Sequence, residues 1–286
     1  MQAETPITSS IDVKPMTGAL GAEVLNIDLT KELDSDTLKV IKELWLQYKV
    51  LFFRDQDLTP EQHIAFTMNF GEEIQKPGFV PLLDGYPQIR RQEMNEYSSV
   101  GSDVNWHADD TFLEIPSKCS VLHALDVPNG KGDTVWVNTV AAFEGLSAPM
   151  QEFLQGLTAI HDLVETMGPG VLKQYGPERW QNFREGTPPV EHPVVRTHPE
   201  TKEKSLFVNQ LMTYKIKGMS DAESKAILDL LYEHMTKEEY MVRFRWEKNS
   251  VAFWDNRCTA HRGINDFFPS HRLMHRVTIA DTSRPI

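Results

Sequence analysis

The feature that most restricts how this chain can fold is a series of short strand-like runs set off by turn signals. Residues 120–128 (SVLHALDVP) and 133–139 (DTVWVNT) are rich in β-branched and aromatic side chains, and Asn129-Gly130-Lys131-Gly132 separates them as a turn. Residues 240–257 (YMVRFRWEKNSVAFWDNR) read as strand, turn at Glu247-Lys248-Asn249, strand, and 272–280 (RLMHRVTIA) as a last strand. One or two early strands are expected within 10–30, and a buried one at 50–56 (VLFFRDQ). Helices punctuate this pattern. Leu38, Ile41, Leu44 and Trp45 fall at helical spacing between Asp36 and Tyr48. Thr59, Pro60 and Gln62 supply an N-cap, an N1 proline and a capping box for the next helix. Helical patterns recur at about 140–160 and from Ser220, where S-D-A-E is another capping box. The expected fold is mainly β with flanking helices, an α+β chain whose strands form a sandwich or barrel.

Residues 163–190 (beginning LVETMGPG) are rich in Gly, Pro and charge and too long for a tight connection. Segments of this kind are often lids or binding loops, so a lid or active-site insertion is expected there.

The formal net charge of -12 disfavours nucleic acid and anionic lipid as partners. An anionic substrate would therefore need a local basic pocket working against the global field. No apolar run is long enough to cross a bilayer, and the N-terminal MQAETPITSS has neither the basic nor the apolar region of a secretory signal. Cys119 and Cys258 are far apart and form no CxxC motif. A cytoplasmic protein is the expectation.

Chemistry concentrates in four places. His107 and Asp109 are spaced i, i+2, so in an extended segment an imidazole and a carboxylate share one face. Taken alone, such a pair is more often an ordinary surface feature. His261 follows the strand-like VAFWDNR late in the chain. Two histidines and one carboxylate make the facial triad that leaves positions open on Fe(II). Arg272 and Arg276, spaced i, i+4 in a strand, face the same side, with His275 on the other. Two guanidiniums on one face are costly to bury without anions, and each can fork onto a carboxylate or sulfonate. An internal salt bridge would satisfy them equally well.

Together WHADDTF, GDTVW, WDNRCTAH and RLMHRVTI resemble, in order and spacing, the taurine dioxygenase-like (TauD/TfdA) family of iron(II)/2-oxoglutarate dioxygenases. The resemblance spans nearly the whole chain, including VLFFRDQ-LTPEQ-FG and HPVVRTHPETKEKSLFVN, and so implies a single domain over 1–286. It implies a double-stranded β-helix (jelly-roll) core. It makes His107, Asp109 and His261 the iron ligands and places Thr134 and Arg272 at the far carboxylate of 2-oxoglutarate. Arg276 falls where taurine-type enzymes hold the sulfonate. The implied cofactors are Fe(II), 2-oxoglutarate and O2. The implied activity is hydroxylation of a small anionic substrate (a sulfonate, alkyl sulfate or aryloxyalkanoate), with 2-oxoglutarate decarboxylated to succinate. The family also suggests a homo-oligomer, a dimer or tetramer.

At the positions where taurine-specific members carry a His and a Tyr, this chain has Lys76 and Phe79, and Asp103 replaces their Asn. Those three residues are the expected points of departure in substrate recognition. Phe112 is a further candidate for an apolar pocket, though core packing is the commoner fate of a Phe. Two other classes fit the ligand set: a zinc hydrolase and a non-catalytic anion-binding jelly roll. A hydrolase has no use for a separate dicarboxylate anchor, and an intact triad weighs against lost catalysis.

Overall fold

The structure is a computed structural model that describes residues 11–75, 81–96 and 105–286. Its strands are, in chain order, β1 Asp12–Pro15, β2 Ala22–Leu25, β3 Val50–Phe53, β4 Leu82–Leu83, β5 Tyr86–Met94, β6 Ser117–Asp126, β7 Thr134–Asn138 and β8 Thr158–His161. They continue with β9 Val190–Pro193, β10 Val195–Thr197, β11 Lys204–Leu206, β12 Thr213–Ile216, β13 Met241–Phe244, β14 Val251–Asp255, β15 Thr259–Gly263 and β16 Arg272–Ala280. The helices are α1 Ser35–Tyr48, α2 Pro60–Met68, α3 Thr139–Glu144, α4 Ala148–Gln155, α5 Leu163–Tyr175, α6 Pro177–Gly186 and α7 Asp221–Met235.

An eight-stranded sheet has the order β1-β2-β3-β14-β6-β16-β5-β4, and a three-stranded sheet the order β13-β7-β15. Period-two alternation explains how they pack. Val50 and Phe52 of β3, Ala252 and Trp254 of β14 and Leu122 of β6 meet Trp136 of β7 and Val242 and Phe244 of β13 in one cluster between the two sheets. The intervening residues Leu51, Phe53, Val251 and Phe253 face the opposite way, onto Ile41 and Trp45 of α1 and Phe66 of α2. On the outer side of the small sheet, Val135, Val137 and Ala260 join Phe143, Leu154, Leu228 and Leu231 from α3, α4 and α7. Helices therefore cover both outer faces of a two-sheet core. The expected α+β class holds.

The capping expectations hold as well. Thr59 and Ser220 each make a reciprocal capping box with Gln62 and Glu223. Just beyond α2, Gly71 packs on β16 so closely that a Cβ would lie 2.2 Å from Ile279.

The strand–turn–strand expected at 240–257 is present, and its two strands lie in different sheets: β13 pairs with β7, whereas β14 pairs with β3 and β6. The turn between them carries the chain from one sheet to the other. Residues 163–186 are two helices rather than a loop, because Asp162 caps α5 by accepting from the Val164 and Glu165 amides, Gly176 at φ 84° closes it, and Pro177 opens α6.

Candidate active site

His107 and His261 lie opposite each other in an isolated antiparallel pair. The His107 amide donates to the His261 carbonyl at 2.9 Å, and the His261 amide returns a bond at 2.7 Å. Residues paired in this way project to the same face, and the two rings lie with centroids 4.2 Å apart. His107 Nδ1 donates to the Asn105 carbonyl at 2.8 Å, which leaves Nε2 to point at Asp109 Oδ1, 4.0 Å away. Trp136 stacks on the His261 ring at 6.1 Å, and Trp254 meets it edge-on at 4.9 Å. The orientation of both imidazoles is thus set by main chain and packing.

Asp109 begins the turn that ends this extended segment. The next residue, Asp110, takes a left-handed φ of 57° and so sends its side chain elsewhere. Asp110 receives both terminal nitrogens of Arg90, at 3.3 and 2.8 Å, and the Ser117 hydroxyl at 2.5 Å. Arg90 sits directly across from Arg276 in the β5–β16 register. Arg276 Nη1 donates to Asp109 Oδ1 at 2.7 Å. Two neighbouring arginines therefore face two consecutive aspartates, Arg90 through both terminal nitrogens and Arg276 through Nη1.

His107, Asp109 and His261 are buried, and each offers a ligand atom within 4.8 Å of the others. Burial alone would raise the Asp109 carboxyl, but attraction from Arg276 leads the forces that hold it well below the usual carboxylate range. Burial pushes the His261 imidazole well below its ordinary value, with His107 beside it adding to the effect. His261 Nδ1 is buried without a hydrogen-bond partner among the described residues. An ionised carboxylate and two imidazoles, that of His261 held neutral, converging at this spacing fit a divalent metal.

Thr134, at the start of β7, pairs across from Gly263 of the His261 strand. Its hydroxyl oxygen accepts from Trp246 Nε1 at 2.9 Å, which leaves its proton for another acceptor. Gly132 at φ 70° brings this loop against Arg272: a Cβ there would lie 3.3 Å from Arg272 Nε. Phe267 packs 5.7 Å from the Arg272 guanidinium. Thr134 and Arg272 thus belong to the same corner.

The α5–α6 pair joins the site through an apolar cluster. Leu163, Val164, Phe183, Leu211 and Met212 pack with Met167, Trp180 and Phe112, the last of which lies in the turn that carries Asp109. Lys76, Phe79 and Asp103 lie outside the described residues.

A second group, His198, Asp255 and Cys258, also has metal-like spacing. Its chemistry is already committed. Arg257 Nε and Nη2 donate to Asp255 at 2.8 and 2.7 Å. His198 Nδ1 accepts from the Glu200 and Thr201 amides, so its Nε2–H donates to Asp255 at 3.0 Å. No histidine lone pair is left for a metal.

Sequence reasoning did not single out Ser120, Asn256, Trp246 or the Arg90–Asp110 pair. Asn256 stands inside WDNRCTAH, and its position five residues before His261 was the available signal.

The family model for taurine catabolism dioxygenase TauD, TfdA family matches residues 12–278. An alkylsulfatase of Acinetobacter baylyi is 34% identical over 96% of this chain and 86% of its own length. An α-ketoglutarate-dependent sulfate ester dioxygenase of Pseudomonas putida is 34% identical over 97% and 92%. Among solved structures, a taurine dioxygenase from Burkholderia xenovorans superposes with a TM-score of 0.82 at 37% identity, covering 97% of this chain and 93% of that one. AAD-2 in complex with Mn(II) and N-oxalylglycine superposes with a TM-score of 0.82 at 30% identity, covering 97% and 100%. With its ligand-spaced histidines and aspartate, its paired arginines and a match from the first strand to the last, this chain belongs to the TauD/TfdA family of α-ketoglutarate-dependent dioxygenases.

Proposed function

We propose that the protein uses iron(II), 2-oxoglutarate and dioxygen to hydroxylate a small organic anion, with an alkyl sulfate or sulfonate as the leading substrate class. The observation that carries this reading is Arg276, whose guanidinium lies 2.7 Å from the carboxylate of the candidate metal site. An anion paired with that cation has its adjacent carbon beside the metal. The relatives named for sulfate esters and the neighbour named for taurine support the substrate class. Aryloxyalkanoates are the second class, supported by a 30% identical 2,4-dichlorophenoxyacetate dioxygenase from Cupriavidus pinatubonensis.

In this reading His107, Asp109 and His261 hold the metal. Arg272 and Thr134 take the far carboxylate of 2-oxoglutarate, Thr134 donating its free hydroxyl proton. Iron with the chelated cosubstrate supplies the oxidising power, and 2-oxoglutarate leaves as succinate and CO2. The protein's share is placement and exclusion of water. Hydroxylation of the carbon bearing a sulfate oxygen gives an unstable product that releases sulfate and an aldehyde. Lys76, Phe79 and Asp103 are assigned to the substrate's other end on sequence grounds, and α5–α6 to a lid. We read the two facing sheets as a double-stranded β-helix, the chain as one domain acting as a dimer or tetramer, and its two buried free thiols as suited to the cytoplasm.

The test is an anaerobic titration with Fe(II) and 2-oxoglutarate, followed by oxygen and a succinate assay against alkyl sulfates, sulfonates and aryloxyalkanoates. A weak visible charge-transfer band, with succinate formation stimulated by an alkyl sulfate or sulfonate, is the expected result. Metal binding without the band overturns the iron/2-oxoglutarate reading. Stimulation by aryloxyalkanoates alone overturns the substrate class.

A further inference from the structure

Asp109 Oδ2 accepts from the Ser120 hydroxyl at 2.7 Å, while Oδ1 faces His107 Nε2 and Arg276. Ser120 belongs to a closed set of bonds. Asn256 Oδ1 meets the indole N–H of Trp254 at 2.9 Å and the main-chain N–H of Asp109 at 3.2 Å. Both of those groups can only donate, so the Asn256 atom between them must be its carbonyl oxygen, and the amide orientation is fixed. The other end of Asn256 is then NH2, and it donates to Ser120 Oγ at 3.0 Å. Thr278 Oγ1, 3.1 Å away, can fill the remaining lone pair of that oxygen. The single Ser120 proton is left for Asp109. Ser120, Asn256, Trp254 and Thr278 are all buried, so water does not compete.

We propose that Asn256 and Ser120 are positioning residues that tie down one oxygen of Asp109 and present the other to the metal, keeping the carboxylate a one-oxygen ligand. The inference rests on the metal site proposed above. Held by two imidazoles and one carboxylate oxygen, a metal would keep positions open for a chelating 2-oxo acid and for dioxygen. A carboxylate that turned its second oxygen to the metal would close one of them. Trp254 and the Asp109 amide serve the same end by fixing which way Asn256 points.

The experiment uses the full chain with Mn(II) followed by electron paramagnetic resonance, then N-oxalylglycine added to the Mn(II)-loaded protein. Ser120→Ala removes the donor, and Ser120→Cys keeps the volume with a weaker one. The expected result is Mn(II) affinity reduced by about 10-fold or more in Ser120→Ala, a smaller loss in Ser120→Cys, and N-oxalylglycine binding weakened in the same order. Melting of the metal-free proteins, followed by circular dichroism, is expected to fall by a few degrees in Ser120→Ala, where Asp109 and Asn256 lose a buried partner, so the two affinities are the deciding readout. A purely structural role lowers the melting temperature and leaves both affinities unchanged, and that result overturns the proposal. Asp109→Ala is the control: if it keeps Mn(II) at parental affinity, the metal-site reading itself is wrong, independently of Ser120.

Discussion

Burial pushes the His63 imidazole down to about 3 and that of His123 down to about 4, and the two rings meet edge-to-face at 5.9 Å. Well above pH 6.5 both are neutral in the folded and unfolded chains and contribute nothing to the pH dependence. As the pH falls below 6.5 the unfolded chain binds protons that the folded chain refuses, so stability is lost down to about pH 4 for His123 and 3 for His63. At pH 5 each costs about 2 kcal/mol. Melting temperature should therefore drop between pH 7 and 5, with a shallower slope in His123→Gln; an unchanged slope would remove His123 from the account. Trp246 fixes the Thr134 hydroxyl through its indole N–H. Replacing it with Phe frees the Thr134 hydroxyl to turn, and on the proposed assignment 2-oxoglutarate affinity should fall about 3- to 10-fold, the equivalent of one neutral hydrogen bond, with the affinity for Fe(II) alone unchanged. His107, Asp109, His261 and Arg276, which the fold brings together, stood out in the sequence because few side-chain types can ligate a metal or fork onto an anion. Ser120, Asn256 and Trp246 were not, because one hydroxyl, amide or indole has many ordinary uses and only three-dimensional contact picks one out.

The α5–α6 pair is tied together at its base through Asp162. Asp162 accepts two amides of α5 and Arg184 Nη1 at 2.8 Å, and Arg184 also reaches Glu165. Just before it, His161 Nδ1 meets Thr111 Oγ1 at 3.0 Å, two residues beyond Asp109. The hairpin and the metal-site turn therefore share a footing. Asp162→Ala should loosen the hairpin by about 1–2 kcal/mol while leaving global melting nearly unchanged. Limited proteolysis or amide exchange confined to 163–186 would report it, and equal protection in the variant would mean that packing alone holds these helices. The Gly- and Pro-rich composition concealed their helical character, since capping decides where such a segment starts and stops. The hidden sheet switch at 240–257 has a related cause. Alternation marks a strand and its faces but not its neighbours, and β13 and β14 look like ordinary hairpin partners until their pairing is known.

At the scale of the molecule, β3 and β14 are buried on both faces and so need a cover on each, supplied by the small sheet on one side and by α1 and α2 on the other. The net charge of -12 acts at the same scale. It repels an anionic substrate at long range, and on the proposed assignment Arg276 attracts it at contact. Raising the ionic strength from about 10 to 150 mM shortens the screening length from about 30 to 8 Å. It should thus increase the association rate of an alkyl sulfate, whereas a fall would mean that a local positive field governs approach. Asp109 is bonded to Ser120 of β6 and Arg276 of β16 in the large sheet, while His261 belongs to β15 in the small one. A metal held by both is a rivet through two plates. Riveting adds about 2.7 kcal/mol of stability at a metal concentration 100 times its dissociation constant, an increment readable as a Mn(II)-dependent rise in melting temperature that His261→Ala should abolish. Heat inactivation of such an enzyme and loss of its metal then become a single event, and ageing in a chelating buffer becomes a structural injury as much as a chemical one.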